Sequence, residues 1–406
     1  MIKIAVLGYG TVGSGVVEVI EKNKDMVNKK AGEELEIRYI LDLREFPGDP
    51  YEDRIVHDFD RVLADDEVKI VCETMGGIGA AYEFTKRLLS AGRSVCTSNK
   101  ELVASHGPEL LARAKEHNCN YLFEASVGGG IPIIRPLNYS LTAERIEAVT
   151  GILNGTTNYI LTKMENEGAD YAQVLKEAQE KGYAERNPDA DVEGYDACRK
   201  IAILSSLMTG KNVDYRKIYT EGISKVEPRD FAFAKQLGMS IKLLALSREV
   251  GEETLAMVSP FLIDASHPLH MVQGVFNAVF VKGNMLGDSM YYGRGAGKLP
   301  TASAVVSDVI DCARHIGKVI MCFWDAEDAK LQNIDQVKRQ FFFRVKTGGE
   351  AKVRSLFGGD IREIRHPEIE DECGFITPVM TDKAFEEMYG QLAGVTAGRR
   401  LRLAEA

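Results

Sequence analysis

An unbroken apolar run, Ile2–Leu7, leads into Gly8-Tyr9-Gly10-Thr11-Val12-Gly13 and then into a helical pattern over residues 12–21. Strand, Gly-x-Gly-x-x-Gly turn and helix, in that order, leave few folds open. Gly8 permits the tight turn, Gly10 lets backbone approach a pyrophosphate, and Gly13 lets the helix sit close to the strand. The phosphates of a dinucleotide then rest on free N–H groups and the positive end of the helix dipole, with Thr11 and Val12 in the first turn. The chain continues in the same grammar. Strands are expected at residues 36–41, 68–74, 94–97 and 121–124, and helices at 80–91 and 108–117. Short, β-branched, nearly continuous apolar strands alternating with helices predict a parallel sheet covered on both faces, the α/β Rossmann arrangement.

With 406 residues, 45% hydrophobic and 27% charged, the chain is long enough for two or three domains. Its formal net charge of -10 offers no uniformly basic surface for phosphates or anionic lipid, which argues against nucleic-acid and membrane partners. There is no cationic leader before an apolar stretch and no bilayer-length apolar segment, so a cytoplasmic location is expected. The seven cysteines are scattered and never spaced as Cys-x-x-Cys, against a disulfide framework or a zinc site.

From about residue 145 the grammar changes. Strands at 145–152, 254–263, 275–281 and 288–292 lack a helix between every pair, while helices are expected at 171–181, 197–208 and 231–247. That pattern predicts an α+β domain with an open, mainly antiparallel sheet. A helical run at 301–316 either completes this domain or returns to the first. After a charged stretch comes a final segment of strands and a helix (382–392), too small to fold robustly alone. The domains expected are 1–130 for nucleotide binding, 131–320 for substrate (302–320 being the stretch that returns, if any does), and a small C-terminal one at 338–406.

Ligands of open α/β sheets bind beyond the carboxyl ends of the strands. Asp42, ending the second strand, is the candidate acceptor for adenine-ribose hydroxyls, with Arg44 two residues on as a competing 2′-phosphate contact. Met75-Gly76 follows the third main strand and Thr97-Ser98-Asn99-Lys100 the fourth. In the second domain, Gly182-Tyr183-Ala184-Glu185 ends one helix, a polar loop follows, and an apolar helix then carries Asp196 and Lys200 at i and i+4, on one face. Charges in so apolar a helix are paired or functional, and such a pair on its own is more often structural.

The segments GYGTVG, MGG, TSNKELVASHG, EASVGGGIPII, GILNGTTNYILTKM, GYAE with DVEGYDACRK, EGI, LGMSIKLLA, FNAVFVKG and YYGRGAGKLPTASAV together resemble the homoserine dehydrogenase family over residues 1–320. The resemblance implies NADH- or NADPH-dependent reduction of L-aspartate 4-semialdehyde to L-homoserine, toward threonine, methionine and isoleucine. It implies Lys200 as proton donor to the carbonyl oxygen, Glu185 and Asp196 as substrate carboxylates with Tyr183 and Thr156 beside them, and Lys100 lining the cleft. A lysine suits developing alkoxide charge, and a buried Glu185 would suit the substrate ammonium. Gly76, Gly182, Gly295 and Gly297 match places where backbone meets cofactor. Glu124, Val127, Gly129 and Ile131 match the oxygens of a monovalent-cation (Na+) site, and a homodimer is implied.

Two departures stand out: Leu41 replaces the arginine that often precedes the acid, which favours NAD, and Asn187-Pro188 replaces acid-proline. The C-terminal segment resembles a shortened ACT, ferredoxin-like, regulatory domain without a recognisable effector loop; its alternative is dimerisation or a purely structural role. The competing functions are another Rossmann oxidoreductase acting on a different small amino or hydroxy acid, and a dinucleotide sensor without catalysis.

Overall fold

The structure, a computed structural model, describes residues 1–404. It contains two compact units, Met1–Arg145 with Ala202–Tyr215 and Tyr291–Ala329, and Ile146–Ile201 with Arg216–Met290 and the chain from Lys330. Residues 131–145, read from sequence as opening the second domain, lie in the first unit. Among the described residues no helix is long and apolar enough to cross a membrane.

The first unit begins β1 (Ile2–Leu7), α1 (Thr11–Lys22), α2 (Lys24–Ala31), β2 (Leu35–Leu41), β3 (Ile55–Val56), α3 (Phe59–Ala64), β4 (Val68–Glu73), α4 (Gly79–Ser90), β5 (Ser94–Thr97), α5 (Lys100–Glu116) and β6 (Tyr121–Leu122). Its six strands are parallel in the order β3-β2-β1-β4-β5-β6, the doubly wound dinucleotide-binding topology. The helix expected at 108–117 starts eight residues earlier, because Asn99 Oδ1 caps it by accepting from Leu102 N at 3.1 Å; Pro108 lies inside it. The strand expected to reach Glu124 stops at Leu122, and Glu124–Ser126 is a 3-10 turn.

The second unit carries β7 (Ile146–Ile152), α6 (Gly155–Glu167), α7 (Tyr171–Glu180), α8 (Asp189–Val192), α9 (Tyr195–Thr209, running on into the first unit), β8 (Tyr219–Thr220), α10 (Pro228–Gln236), β9 (Met239–Val250), β10 (Glu253–Asp264), β11 (Phe276–Gly283) and β12 (Gly287–Arg294, running on into the first unit from Tyr291). The single helix expected at 231–247 is a correction: α10 ends at Gln236 and the rest is β9, paired antiparallel with β7 on one side and β10 on the other. Gly238 makes the break. Its left-handed φ of 70° and its N–H donated to Lys235 O at 3.0 Å close the helix C-terminus. The next helix, α11 (Lys298–Arg314), returns to the first unit, where Ala302, Val305, Val306 and Val309 join the core made by β1, α1 and β2.

The chain ends with β13 (Lys338–Arg339), β14 (Phe341–Lys346), α12 (Glu350–Phe357), β15 (Arg362–His366), β16 (Ile369–Ile376), β17 (Met380–Thr381), α13 (Asp382–Gly390) and β18 (Thr396–Leu403). β14, α12, β15, β16, α13 and β18 form a βαββαβ unit with strand order β18-β14-β16-β15, the split-βαβ arrangement. It does not stand alone. β18 pairs parallel with β10, placing Phe261 opposite Arg402, so one ten-stranded mixed sheet runs through the second unit. Phe341, Phe343, Phe357, Phe375 and Phe385 fill the core beneath the C-terminal helices.

Candidate active site

In the first unit, the glycine turn has the geometry that its spacing requires. Gly8 has a φ of 89°, and a Cβ on Gly13 would overlap the Gly8 carbonyl oxygen, so helix and strand meet more closely than any side chain allows. Nothing lies within 4 Å of where a Gly10 Cβ would stand, and Gly10 is the N-cap of α1 without a side-chain cap. Thr11 and Val12 therefore open a helix whose first turn faces open space, as a pyrophosphate needs. Thr74 Oγ1 donates to Leu7 O (2.9 Å) or Gly8 O (2.8 Å), lashing the end of β4 to the loop.

Asp42 stands at the end of β2 and accepts the Tyr9 N–H at 2.7 Å. Arg44 binds both its oxygens, at 3.0 and 2.9 Å, and this guanidinium holds the Asp42 carboxyl well below the usual range. Beyond β4 and β5 the loops containing Met75, Gly76, Thr97, Ser98 and Lys100 are joined by Glu73, a fully buried carboxylate. It accepts from Met75 N (2.8 Å) and Thr97 Oγ1 (2.5 Å), and Thr97 Oγ1 accepts from Asn99 N at 2.9 Å. Burial pushes the Glu73 carboxyl up to about 7 against those bonds. Lys100 begins α5. Gly297 caps α11, and Gly295 lies against Gly129 so closely that a Cβ there would overlap its carbonyl.

The carboxylate of Glu124 accepts the N–H groups of Ile133 (2.7 Å), Ile134 (3.0 Å) and Arg135 (2.7 Å). Burial raises its pKa against those bonds. Val127 and Ile131 stand on either side of Gly128–Gly130, where Gly128 and Gly129 are left-handed at φ 74° and 56° and Ile131 N donates to Gly128 O at 2.9 Å.

In the second unit the helix pair is real and buried: Asp196 is 3% and Lys200 8% exposed. Lys200 Nζ donates to Asp196 Oδ2 at 2.6 Å and to Leu153 O at 2.7 Å. Asn154, which follows β7 and caps α6 through Thr157 N (2.9 Å), donates its amide N–H groups to Asp196 Oδ2 (2.9 Å) and Asp191 Oδ1 (2.7 Å). Thr156 Oγ1 donates to Tyr183 O at 2.6 Å, and the Tyr183 ring meets Tyr159 edge-on. Glu185 is a correction. It is exposed rather than buried, because it lies on the loop beyond α7, where its main-chain oxygen accepts from Gln179 Nε2 at 3.0 Å. Gly182, at φ 72°, turns the chain out of α7 into that loop.

Comparison with known proteins decides what this assembly is. The family model described as "Homoserine dehydrogenase, NAD binding domain" matches residues 8–124, and the one described as "Homoserine dehydrogenase" matches 132–310. The Bacillus subtilis homoserine dehydrogenase is 39% identical over 366 residues, covering 88% of this chain and 84% of its own. The chain belongs to the homoserine dehydrogenase family. The crystal structure of a homoserine dehydrogenase from Thiobacillus denitrificans superposes with a TM-score of 0.90 at 34% identity, covering 100% of this chain and 98% of that one. A hyperthermophilic archaeal homoserine dehydrogenase solved in complex with NADPH gives 0.64 at 28% identity over 77% of this chain and 97% of its own. The protein is thus an oxidoreductase acting on a CH–OH group with NAD or NADP, and the open helix terminus beside Gly10 fits such a cofactor.

Three residues of this chain carry structure that sequence reasoning did not assign. Asn154 and Asp191 complete the Lys200 network, and Glu73 joins the two loops beyond β4 and β5. Asn154 had a legible signal, since an asparagine between a strand and a helix is a capping residue. Glu73 had a weaker one: a carboxylate ending an otherwise apolar strand.

Proposed function

We propose that the chain interconverts L-aspartate 4-semialdehyde and L-homoserine, with Lys200 as the group that gives a proton to the carbonyl oxygen and takes it back in the reverse direction. The observation that carries this reading is the buried Lys200, held by Asp196 and Leu153 O. A charge pair taken so far from water is costly unless satisfied by further hydrogen bonds, and Asn154 supplies one to the same carboxylate oxygen. The dinucleotide, when bound, supplies or removes the hydride. Negative charge then grows on the substrate oxygen, where an ammonium fixed beforehand stabilises it without reorganising and delivers the proton. Asp196 keeps that ammonium oriented, and Asn154 keeps Asp196 from turning toward solvent. Glu185 and Tyr183, on the exposed loop that Thr156 ties down, are proposed to meet the amino-acid end of the substrate, and Lys100 the reacting end.

Gly8, Gly10, Thr11, Val12 and Gly13 are proposed to hold the pyrophosphate, with Met75, Gly76, Thr97, Ser98, Gly182, Gly295 and Gly297 near the rest of the cofactor. Asp42 supports a preference for NAD, because its carboxylate is ionised and ends β2, although its ribose contacts would be shared with Arg44. For a sodium ion the main-chain oxygens of Glu124, Val127, Gly129 and Ile131 are a hard-donor set of the right chemistry. The Glu124 side chain is already committed to three amides, so it would hold the loop rather than the ion. A homodimer is supported by Met285, Leu286 and Met290, exposed around the β11–β12 turn. A cytoplasmic location accords with a small-molecule enzyme of this kind.

The test is nicotinamide absorbance with homoserine and with aspartate semialdehyde, each with NAD(H) and NADP(H). Turnover that Lys200→Ala abolishes supports the reading, and cofactor binding without turnover in the wild type would refute it.

A further inference from the structure

We propose that Glu221 and Gly222, gripped by arginines of the C-terminal strand β18, are positioning residues for the substrate loop. The inference rests on the reading of the Lys200 network given above. It starts from Asp191, which belongs to that network through Asn154 and sits on the four-residue helix α8. So short a helix has no stability of its own and needs an outside support.

The support is the segment after β8. Ile223 N donates to Val192 O at 2.8 Å, and Gly222 lies so close that a Cβ would overlap Val192 O and Glu193 Cα. Behind it, Glu221 N donates to Val258 O of β10 at 2.9 Å. Arg399 Nη1 donates to Gly222 O at 2.8 Å and the same guanidinium contacts the Glu221 carboxylate. Arg400 Nη1 (2.7 Å) and Arg402 Nη1 (2.6 Å) bind that carboxylate as well. Arg400 also binds Glu386 and Arg402 also binds Asp382, so the cluster sets three carboxylates against three guanidiniums, with Glu221 the one that all three arginines share. Burial, with Arg400 and Arg402 as neighbours, pulls Arg399 down to about 10. The geometric result of the cluster is that Glu221 and Gly222 are pinned to both β10 and β18 while pressing on α8. The C-terminal strand thereby fixes Asp191, and through Asn154 and Asp196 the ammonium of Lys200.

The experiment uses the full-length protein with Arg399→Ala, Arg399→Lys and Gly222→Ala. Hydrogen exchange of residues 186–193 and separate KM values for homoserine and cofactor are measured, with melting curves to establish folding. Arg399→Ala and Gly222→Ala are expected to speed exchange in that loop at least tenfold and to raise the homoserine KM about tenfold. The cofactor KM stays within twofold, and Arg399→Lys recovers part of the loss. Folded variants with unchanged loop exchange, or with both KM values shifted alike, overturn the proposal. If Arg399→Ala does not fold, Gly222→Ala decides alone, because it removes no charged side chain and acts at the contact with Val192 and Glu193. Exchange does not depend on turnover, so a wild type inactive on homoserine refutes the assigned reaction while exchange still judges the clamp.

Discussion

Lys200 and Glu73 are both buried ionisable side chains, and their surroundings set them different tasks. Lys200 has a carboxylate at 2.6 Å, which offsets part of the cost of burying its amino group and holds that group for an oxygen that becomes negative only during reaction. Lys200→Ala is expected to lower kcat by roughly 10²- to 10⁴-fold, the range of a lost general acid, with dinucleotide affinity retained. Steady-state rates beside a fluorescence titration of NADH measure both, and an unchanged kcat would remove Lys200 from the chemistry. Glu73 has no guanidinium or ammonium among its hydrogen-bond partners, and burial lifts it from the ordinary 4.5 to about 7. Between those pH values the native chain holds a proton that the unfolded chain has released. The native state therefore gains stability from this group as pH falls from 7 toward 4.5 and loses it as pH rises through 7, by on the order of 1–3 kcal/mol. Glu73→Gln abolishes that dependence. Its melting temperature relative to wild type is expected to be more favourable at pH 8 than at pH 5 by about 2–6 °C, and a difference flat across pH would contradict the assignment.

At the scale of elements, the β9 strand shows where sequence reading stops. Residues 231–247 hold Leu, Ala, Lys and Gln, which favour helix, and their apolar positions suit one as well as a doubly covered strand. What decides is tertiary: β9 lies between β7 and β10 and is buried on both faces, so sheet pairing overrides local propensity. Gly238 was the available signal, and replacing it with Ala forces a left-handed residue at a cost of ~1 kcal/mol. The expected fall in melting temperature is about 2–4 °C without change in KM; no fall would mean that the break is set by sheet pairing alone. By contrast, the dinucleotide turn was legible at once, because its function and its local sterics demand the same glycines at Gly8 and Gly13. The Asp196–Lys200 pair was legible as one helix face. Its partners Asn154 and Asp191 lie 42 and 5 residues from Asp196, and spacing along the chain does not reveal that a strand end and a short helix converge there. Only the burial expected of Glu185 was misjudged, for a related reason, since the loop beyond α7 leaves it in solvent.

At the scale of the whole molecule, the C-terminal segment is part of the second unit's sheet. Alone it would be a small split-βαβ unit, yet β18 continues the hydrogen bonding of β10, and Arg344 of β14 is completely buried. Arg344 Nε donates to Asp230 Oδ1 of α10 at 2.7 Å, Nη2 donates to Glu227 Oε2 at 2.5 Å, and Nη1 binds Glu372. Removing residues 338–406 would strip Asp230 of that partner, a loss of up to ~3–5 kcal/mol for a broken buried pair, and would uncover the face of α10 on which Phe233 meets Phe342 and His366. It would also bare the end of β10 at Phe261 and Leu262, where β18 pairs, although β8 still covers Met257 and Val258, and an open strand end can pair with another chain. A truncation at residue 337 is therefore expected to aggregate or to melt at least about 10 °C below the full chain, rather than to yield an active core. Asp230→Asn in the truncated chain distinguishes the two causes. Partial recovery of melting temperature with aggregation persisting would assign the instability to the unpaired carboxylate and the aggregation to the open strand end. A truncated protein that is soluble, active and as stable as the parent would show that the C-terminal strands lean on the sheet without supporting it.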